Sequence, residues 1–343
     1  MRHLLNTLYV TTQGAYLARD GETIDVRVDR ATKLRVPVHT LGSVLCFGQV
    51  SCSPPLMGLC AERGVSIAFL SEHGRFLARV QGPVSGNVLL RRQQYRQADH
   101  ATWPAEAARA IVTAKIANSR TVLLRAAREG ESGDKSRELE AATRRLARLL
   151  EDLQKPMALD SVRGVEGDAA RTYFGVFDNL IVVSKDDFFM KQRSRRPPLD
   201  NVNALLSFLY TLLVHDVVGA LESVGLDPAV GYLHRDRPGR PSLALDLMEE
   251  LRPVLADRLA LSLINRKQVR GNGFRRTESS AVAMDDDTRK EVLVAYQKRK
   301  QEELQHPFLG EKVVFGLVPH IQAALFARCL RGDLDGYPPF FWK

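Results

Sequence analysis

From residue 4 to about 82, apolar and polar positions alternate with the two-residue period of half-buried strands. Leu8-Tyr9-Val10 and Ala15-Tyr16-Leu17 flank a Gln13-Gly14 turn, the pattern of a hairpin. Ile24, Val26 and Val28 share one side of the next run, Lys33 to Val38 repeats the alternation, and Val44 to Phe47 continues it. Pro55 to Arg63 predicts a short helix, Val65 to Leu70 a buried strand, and Phe76 to Val80 the last strand. Short strands at regular spacing with Gly and Asp turns predict a small sheet or sandwich.

Near Asn87 the period changes to that of a helix and stays mainly helical to the end. Leu89 to Tyr95 reads as a linker helix and Ala105 to Ala127 as a long one. Gly130 to Gly133 breaks the chain before the strong period of Glu138 to Leu153. Asp160-Ser161 is placed to cap a helix whose stripe is Val162, Val165, Ala169, Tyr173 and Val176. Val202 to Val218 is apolar almost all round, as a central helix is. A helix starting near Ser242 would bury Leu243, Leu247 and Leu251, spaced by four. Asp285-Asp286-Asp287 are acids at the start of a charged helix to about Gln305, and Phe308 to Arg331 follows as an amphipathic helix. The aromatic tail Gly336 to Lys343 is irregular and reads as packing on a neighbour. The predicted fold class is α+β. A small β-rich N-terminal domain with its linker helix takes residues 1–97, and a larger, mainly α-helical domain takes residues 98–343.

Composition adds a partner to this picture. A chain of 343 residues, 45% hydrophobic, can build real cores, and its net charge of +9 favours a polyanion, either nucleic acid or an anionic membrane surface. No apolar run approaches the ~20 residues of a spanning helix. The stretch Met1 to Asn6 has too short an apolar core for a signal peptide. The expectation is therefore a cytoplasmic protein whose partner is nucleic acid. The cysteines Cys46, Cys52, Cys60 and Cys329 form no C-x-x-C pair, so no zinc ribbon is indicated.

Candidate chemistry concentrates between Gly231 and Pro253. His234 ends a short apolar run, and a basic turn with Arg235, Arg237 and Arg240 follows. Asp246 and Glu249, three apart, then project from one helix face, with Glu250 four from Asp246. These residues fit a divalent cation beside phosphate, and equally a solvated acidic face with a core histidine. Glu166, between Gly164 and Gly167, is a further candidate or a boundary residue paired with Arg163. Two more basic loops carry Arg193, Arg195 and Arg196, and Arg270, Arg275 and Arg276.

Read together, V-R-G-V-E-G-D-A-A-R around Glu166, G-Y-L-H at His234 and D-L-M-E-E-L-R-P at Glu249 resemble the CRISPR-associated integrase/endonuclease, the first of the Cas adaptation proteins. N-A-L-L-S-F-L-Y (Asn203 to Tyr210) is also family-like, and the G-Y-P-P-F-F-W-K ending resembles the type I-C branch. The resemblance implies that Glu166, His234 and Glu249 hold Mg²⁺ or Mn²⁺, with Asp246 beside them in the catalytic set. It implies insertion of foreign DNA fragments as new spacers into a CRISPR array, by 3′-OH attack on a phosphodiester. It also implies a homodimer formed through the β-rich domain and bridged by the small second Cas adaptation protein. The basic loops would hold DNA phosphates. Two other readings stand beside this one: a metal-dependent, structure-selective DNA nuclease of repair, and a non-catalytic nucleic-acid scaffold.

Overall fold

The computed structural model describes residues 6–72, 74–80, 82, 88–129, 133–278 and 280–342. The N-terminal stretch 1–5, His73, Asn87 and the first three residues of the break 130–133 lie outside the described residues.

The front of the chain runs β1 (Asn6–Val10), β2 (Tyr16–Asp20), β3 (Thr23–Val28), β4 (Ala31–Pro37), β5 (Leu41–Phe47), β6 (Ser51–Cys52), α1 (Pro54–Glu62), β7 (Ser66–Leu70) and β8 (Phe76–Val80). It makes two four-stranded sheets, ordered β1-β5-β7-β8 and β4-β3-β2-β6. The expected hairpin over Leu8 to Leu17 does not form. β1 pairs in parallel with β5, and β2 pairs with β3, so the Gln13-Gly14 turn carries the chain from one sheet to the other. Gly14 has a φ of +75° there, and its N–H donates to the Gln49 carbonyl. Leu17, Ile24, Val44, Cys46, Leu56 and Cys60 fill the core between strands and α1. On β5, Val44 and Cys46 belong to this core while Leu45 and Phe47 belong to that of the helices. A strand buried on both faces reads as a continuous apolar run, as Val44 to Phe47 does.

The helices are α2 (Val88–Ala98), α3 (Trp103–Glu129), α4 (Asp134–Asp152), α5 (Leu159–Gly175), α6 (Asn201–Ser223), α7 (Ser242–Met248), α8 (Arg258–Asn265), α9 (Asp286–Gln301) and α10 (Val318–Arg331). A π-helical turn, Arg252–Asp257, joins α7 to α8. Two short ribbons interrupt the helical part, β9 (Phe274–Arg276) with β10 (Val282–Met284), and β11 (Glu303–Gln305) with β12 (Lys312–Val314). α10 therefore starts ten residues after Phe308, once the ribbon has closed and Pro319 can enter the first turn. α5 starts before Asp160, with Ala158 at its cap, because Asp160 is engaged by Arg163 and Arg235. Asp285 does cap α9, accepting from the Thr288 N–H at 2.8 Å.

α6 is 23 residues long and apolar enough, by length and composition, to cross a membrane, a feature passed over in the sequence. Its Leu205, Leu206, Leu209, Leu213 and Leu221 are fully buried in the protein. α3 lies against α4 and α5, and α7 against α6, which brings the middle of α3, the middle of α5 and the end of α7 to one place.

Candidate active site

The loop before α7 is held from inside by one carboxylate. Asp246 is fully buried, and its Oδ2 accepts the backbone N–H groups of Tyr232 (2.6 Å) and Leu233 (3.0 Å). Its Oδ1 accepts the His234 N–H at 2.9 Å and meets His234 Nδ1 at 2.6 Å. With Nδ1–H given to this carboxylate, the Nε2 lone pair of a neutral imidazole points outward. Both Asp246 oxygens are used in this way, so it positions His234 from behind. Its spacing of three from Glu249 could not separate that positioning task from the catalytic one expected of it. The loop passes close over α7: a Cβ at Gly231 would stand 2.7 Å from the Ser242 backbone and 2.9 Å from Asp246 Oδ2.

Glu249 closes α7 and is 2% exposed. Its Oε1 lies 3.8 Å from His234 Nε2 and receives the Arg252 guanidinium, and its Oε2 lies 2.6 Å from Lys115 Nζ. Burial opposes its charge, but Arg252, Lys115 and His234 together hold the carboxyl well below the usual carboxylate range. Lys115, from the middle of α3, also bonds Glu166 Oε1 on α5. Burial likewise opposes the ammonium charge, and Glu249 and Glu166 outweigh it, so its pKa is raised. Arg163, the partner in the alternative reading of Glu166, donates to the Leu233 carbonyl at 2.7 Å and pairs with Asp160.

Glu250 faces the other way. Its carboxylate accepts from Tyr337 Oη (2.5 Å), the Phe340 N–H (2.7 Å) and Gln322 Nε2 (3.2 Å). Arg252, two residues further on, pairs with Glu249 and not with Glu250. The aromatic tail packs within its own chain: Trp342 lies under the Arg125 and Arg258 guanidinium groups.

The cleft over these residues measures about 470 Å³ and continues past Arg252 to Arg193, Tyr210 and Asp257. Tyr210 Oη donates to Asp257 at 2.7 Å, and its ring carries Arg193 and Arg252, whose guanidinium carbons lie 5.2 and 5.0 Å from the centroid. Burial pushes the Asp257 carboxyl up to about 6. Lys115, Arg252, Tyr210 and Asp257 were missed in the sequence. For Lys115 a signal existed, a lone charge between Ala114 and Ile116 on an apolar helix.

The basic loops separate into three settings. Arg193 is not a solvated loop residue, since it donates to Asn203 Oδ1 and the Ser194 carbonyl, each at 2.6 Å. Arg195, Arg196, Arg235 and Arg237 are exposed. Arg240 is partly buried, and burial and then the positive charges of Arg237, Arg195 and Arg196 lower its pKa against the opposing pull of Asp246. Arg270, Arg275 and Arg276 are exposed elsewhere, and Arg275 lines a separate depression with Asp285, Asp286 and Asp287.

Two carboxylates and an outward imidazole nitrogen form a donor set suited to Mg²⁺ or Mn²⁺. No group of three His, Cys, Asp or Glu stands at ligating distance among the described residues. The Lys115 ammonium sits between the two carboxylates, at the position where a cation would draw them together.

Comparison with known proteins places this geometry in context. The family model for "CRISPR associated protein Cas1" matches residues 8–298. Proteins named CRISPR-associated endonuclease Cas1 from Chlorobaculum tepidum and Rhodospirillum rubrum are 54% and 55% identical, over the whole of this chain and of each relative. Among solved structures, a CAS1 protein from Thermotoga maritima superposes with a TM-score of 0.81 at 22% identity, covering 96% of this chain and 97% of that one. A casposase bound to its integration product does so at 0.83 and 20% identity, covering 99% and 95%. At these identities the two structures share the fold.

Proposed function

The chain belongs to the CRISPR-associated Cas1 family, and from that premise we propose that it is a metal-dependent DNA endonuclease and integrase that inserts DNA fragments into a CRISPR array. One observation carries the site assignment: His234, locked by Asp246, presents Nε2 toward Glu249 in a cleft that also holds Glu166. Glu166, His234 and Glu249 would hold Mg²⁺ or Mn²⁺, which when bound supplies Lewis-acid polarisation of the reacting hydroxyl and phosphate.

The chain's own residues do the rest. Asp246 fixes the histidine tautomer. Arg252 keeps Glu249 ionised inside the protein. The wall of Arg252, Tyr210 and Arg193 offers positive charge to a phosphodiester entering the cleft. The 3′-oxygen of the incoming fragment forms a bond to phosphorus and gives its proton to solvent, while the opposite P–O bond breaks and the released oxygen takes a proton from solvent to become a free hydroxyl end; no protein nucleophile takes part. With water in place of the 3′-hydroxyl, the same arrangement cuts DNA. Arg195, Arg196, Arg235, Arg237 and Arg240 form the adjoining bank for backbone phosphates, and Arg270, Arg275 and Arg276 a more distant one. Residues 1–97 serve as the dimerisation part, a small second Cas protein bridges two dimers, and the assembly works in the cytoplasm.

The test is strand transfer of a fragment with a free 3′-hydroxyl into a repeat-bearing plasmid, with and without the small partner, in Mn²⁺. Glu166→Ala, His234→Ala and Glu249→Ala should each abolish joined product while DNA binding persists. Hydrolysis without joining would leave a nuclease, and loss of binding in step with activity would make the three residues structural.

A further inference from the structure

Lys115 is 12% exposed and rises from the middle of a helix whose neighbouring Ile111, Val112, Ala114 and Ile116 are fully buried. A lysine in such company needs a charged partner. Its ammonium sits 2.6 Å from Glu249 Oε2 and also bonds Glu166 Oε1, so one cation joins two carboxylates from two other elements. α3 is 27 residues long and fixed against α4 and α5, so its backbone cannot withdraw, but the four-carbon side chain can turn. The charges Glu166, Glu249, Lys115 and Arg252 sum to zero. A dication on the carboxylates leaves two positive charges in excess, beside Arg193 and Arg195 on the same cleft.

We infer that Lys115 is a built-in competitor of the divalent metal: the metal must displace its ammonium from Glu166 and Glu249, and the freed ammonium turns to a phosphate of bound DNA. This rests on the metal reading of Glu166, His234 and Glu249. Metal and DNA then bind with positive cooperativity, each supplying the charge that the other leaves unbalanced. Free protein carries little metal, and loading follows arrival of a DNA phosphate.

Calorimetric titration of Mn²⁺ into the wild-type protein and Lys115→Met, without DNA, tests this. The variant should bind Mn²⁺ at least tenfold more tightly. A short DNA fragment should tighten Mn²⁺ binding several-fold in wild type and clearly less in the variant. Glu249→Gln should remove binding in both backgrounds. Equal or weaker binding by Lys115→Met overturns the competition and leaves the metal site standing. Absence of binding by both proteins, or binding that survives Glu249→Gln, overturns the metal site and the inference with it. A measurement on the unaltered protein covers a variant that fails to fold. Acylation of Lys115 by a succinimidyl ester, read by mass spectrometry, should rise severalfold on adding Mn²⁺, and unchanged or lower labelling overturns the inference.

Discussion

Glu249 and Glu250 adjoin in the chain, yet one meets Lys115, Arg252 and His234 and the other meets Tyr337, Gln322 and the Phe340 N–H. Neighbours on a helix point about 100° apart, so the sequence already separates them, with Leu243, Leu247 and Leu251 marking the core. Glu249→Gln should lose Mn²⁺ affinity and strand transfer, while Glu250→Gln keeps most of both; calorimetry and the plasmid assay read the order directly. The partners of Glu250 were not legible, because they lie some ninety positions away and no local pattern encodes such a meeting. His215 gives the residue scale a pH dependence. Burial brings its pKa down from 6.5 to about 4, and its Nε2 has no hydrogen-bond partner among the described residues. The folded state thus disfavours the imidazolium. This stability is fully present above pH 6.5 and is lost as pH falls through about 4, a total of about 3 kcal/mol. His215→Leu should flatten the fall in urea midpoint between pH 6.5 and 4, whereas an unchanged slope would assign the acid sensitivity to other groups.

At the scale of elements, periodicity located every helix but α8 and the strands β1 to β5, β7 and β8, and passed over β6 and β9 to β12, whose two or three residues are too few to show a period. β1 lies beside a turn signal yet pairs with a strand some thirty residues on, which the signal cannot express. The loop over α7 is the element on which the site depends. Gly231→Ala would drive a methyl group into Ser242 and Asp246, costing about 1–3 kcal/mol and shifting His234. It should lower both the melting temperature and strand transfer, whereas Gly239→Ala in the same loop meets no neighbouring atom and tests its φ of +71° alone. The basic loops call for a narrower substitution than the sequence indicated. Arg195→Gln with Arg196→Gln should weaken binding to all DNA sequences and shallow its salt dependence by up to ~0.9 per lost phosphate contact. An unchanged slope would make the pair bystanders. Arg193 is left out, since its removal would strip Asn203 and Ser207 of a partner in the core.

For the molecule as a whole, the small β-rich front and helical back were legible from the change of period near residue 87, while the net charge of +9 left nucleic acid and an anionic membrane surface both open. The closure of the tail was not. Asn118 on α3 donates to the Glu250 and Phe340 carbonyls and accepts the Trp342 N–H, tying the tail to the helix that carries Lys115. Tyr337→Phe should cost about 1–3 kcal/mol, through the lost bond to buried Glu250, and leave strand transfer intact. That clasp joins positions 224 apart in sequence, and the cleft itself gathers residues from 115 to 257. Contacts of such long range form late, because the chain entropy of closing them is lost before they repay it. Tail docking therefore belongs to the native side of the folding barrier. In stopped-flow experiments Tyr337→Phe should speed unfolding and scarcely alter refolding, so the tail sets how long a finished molecule lasts rather than how quickly it forms.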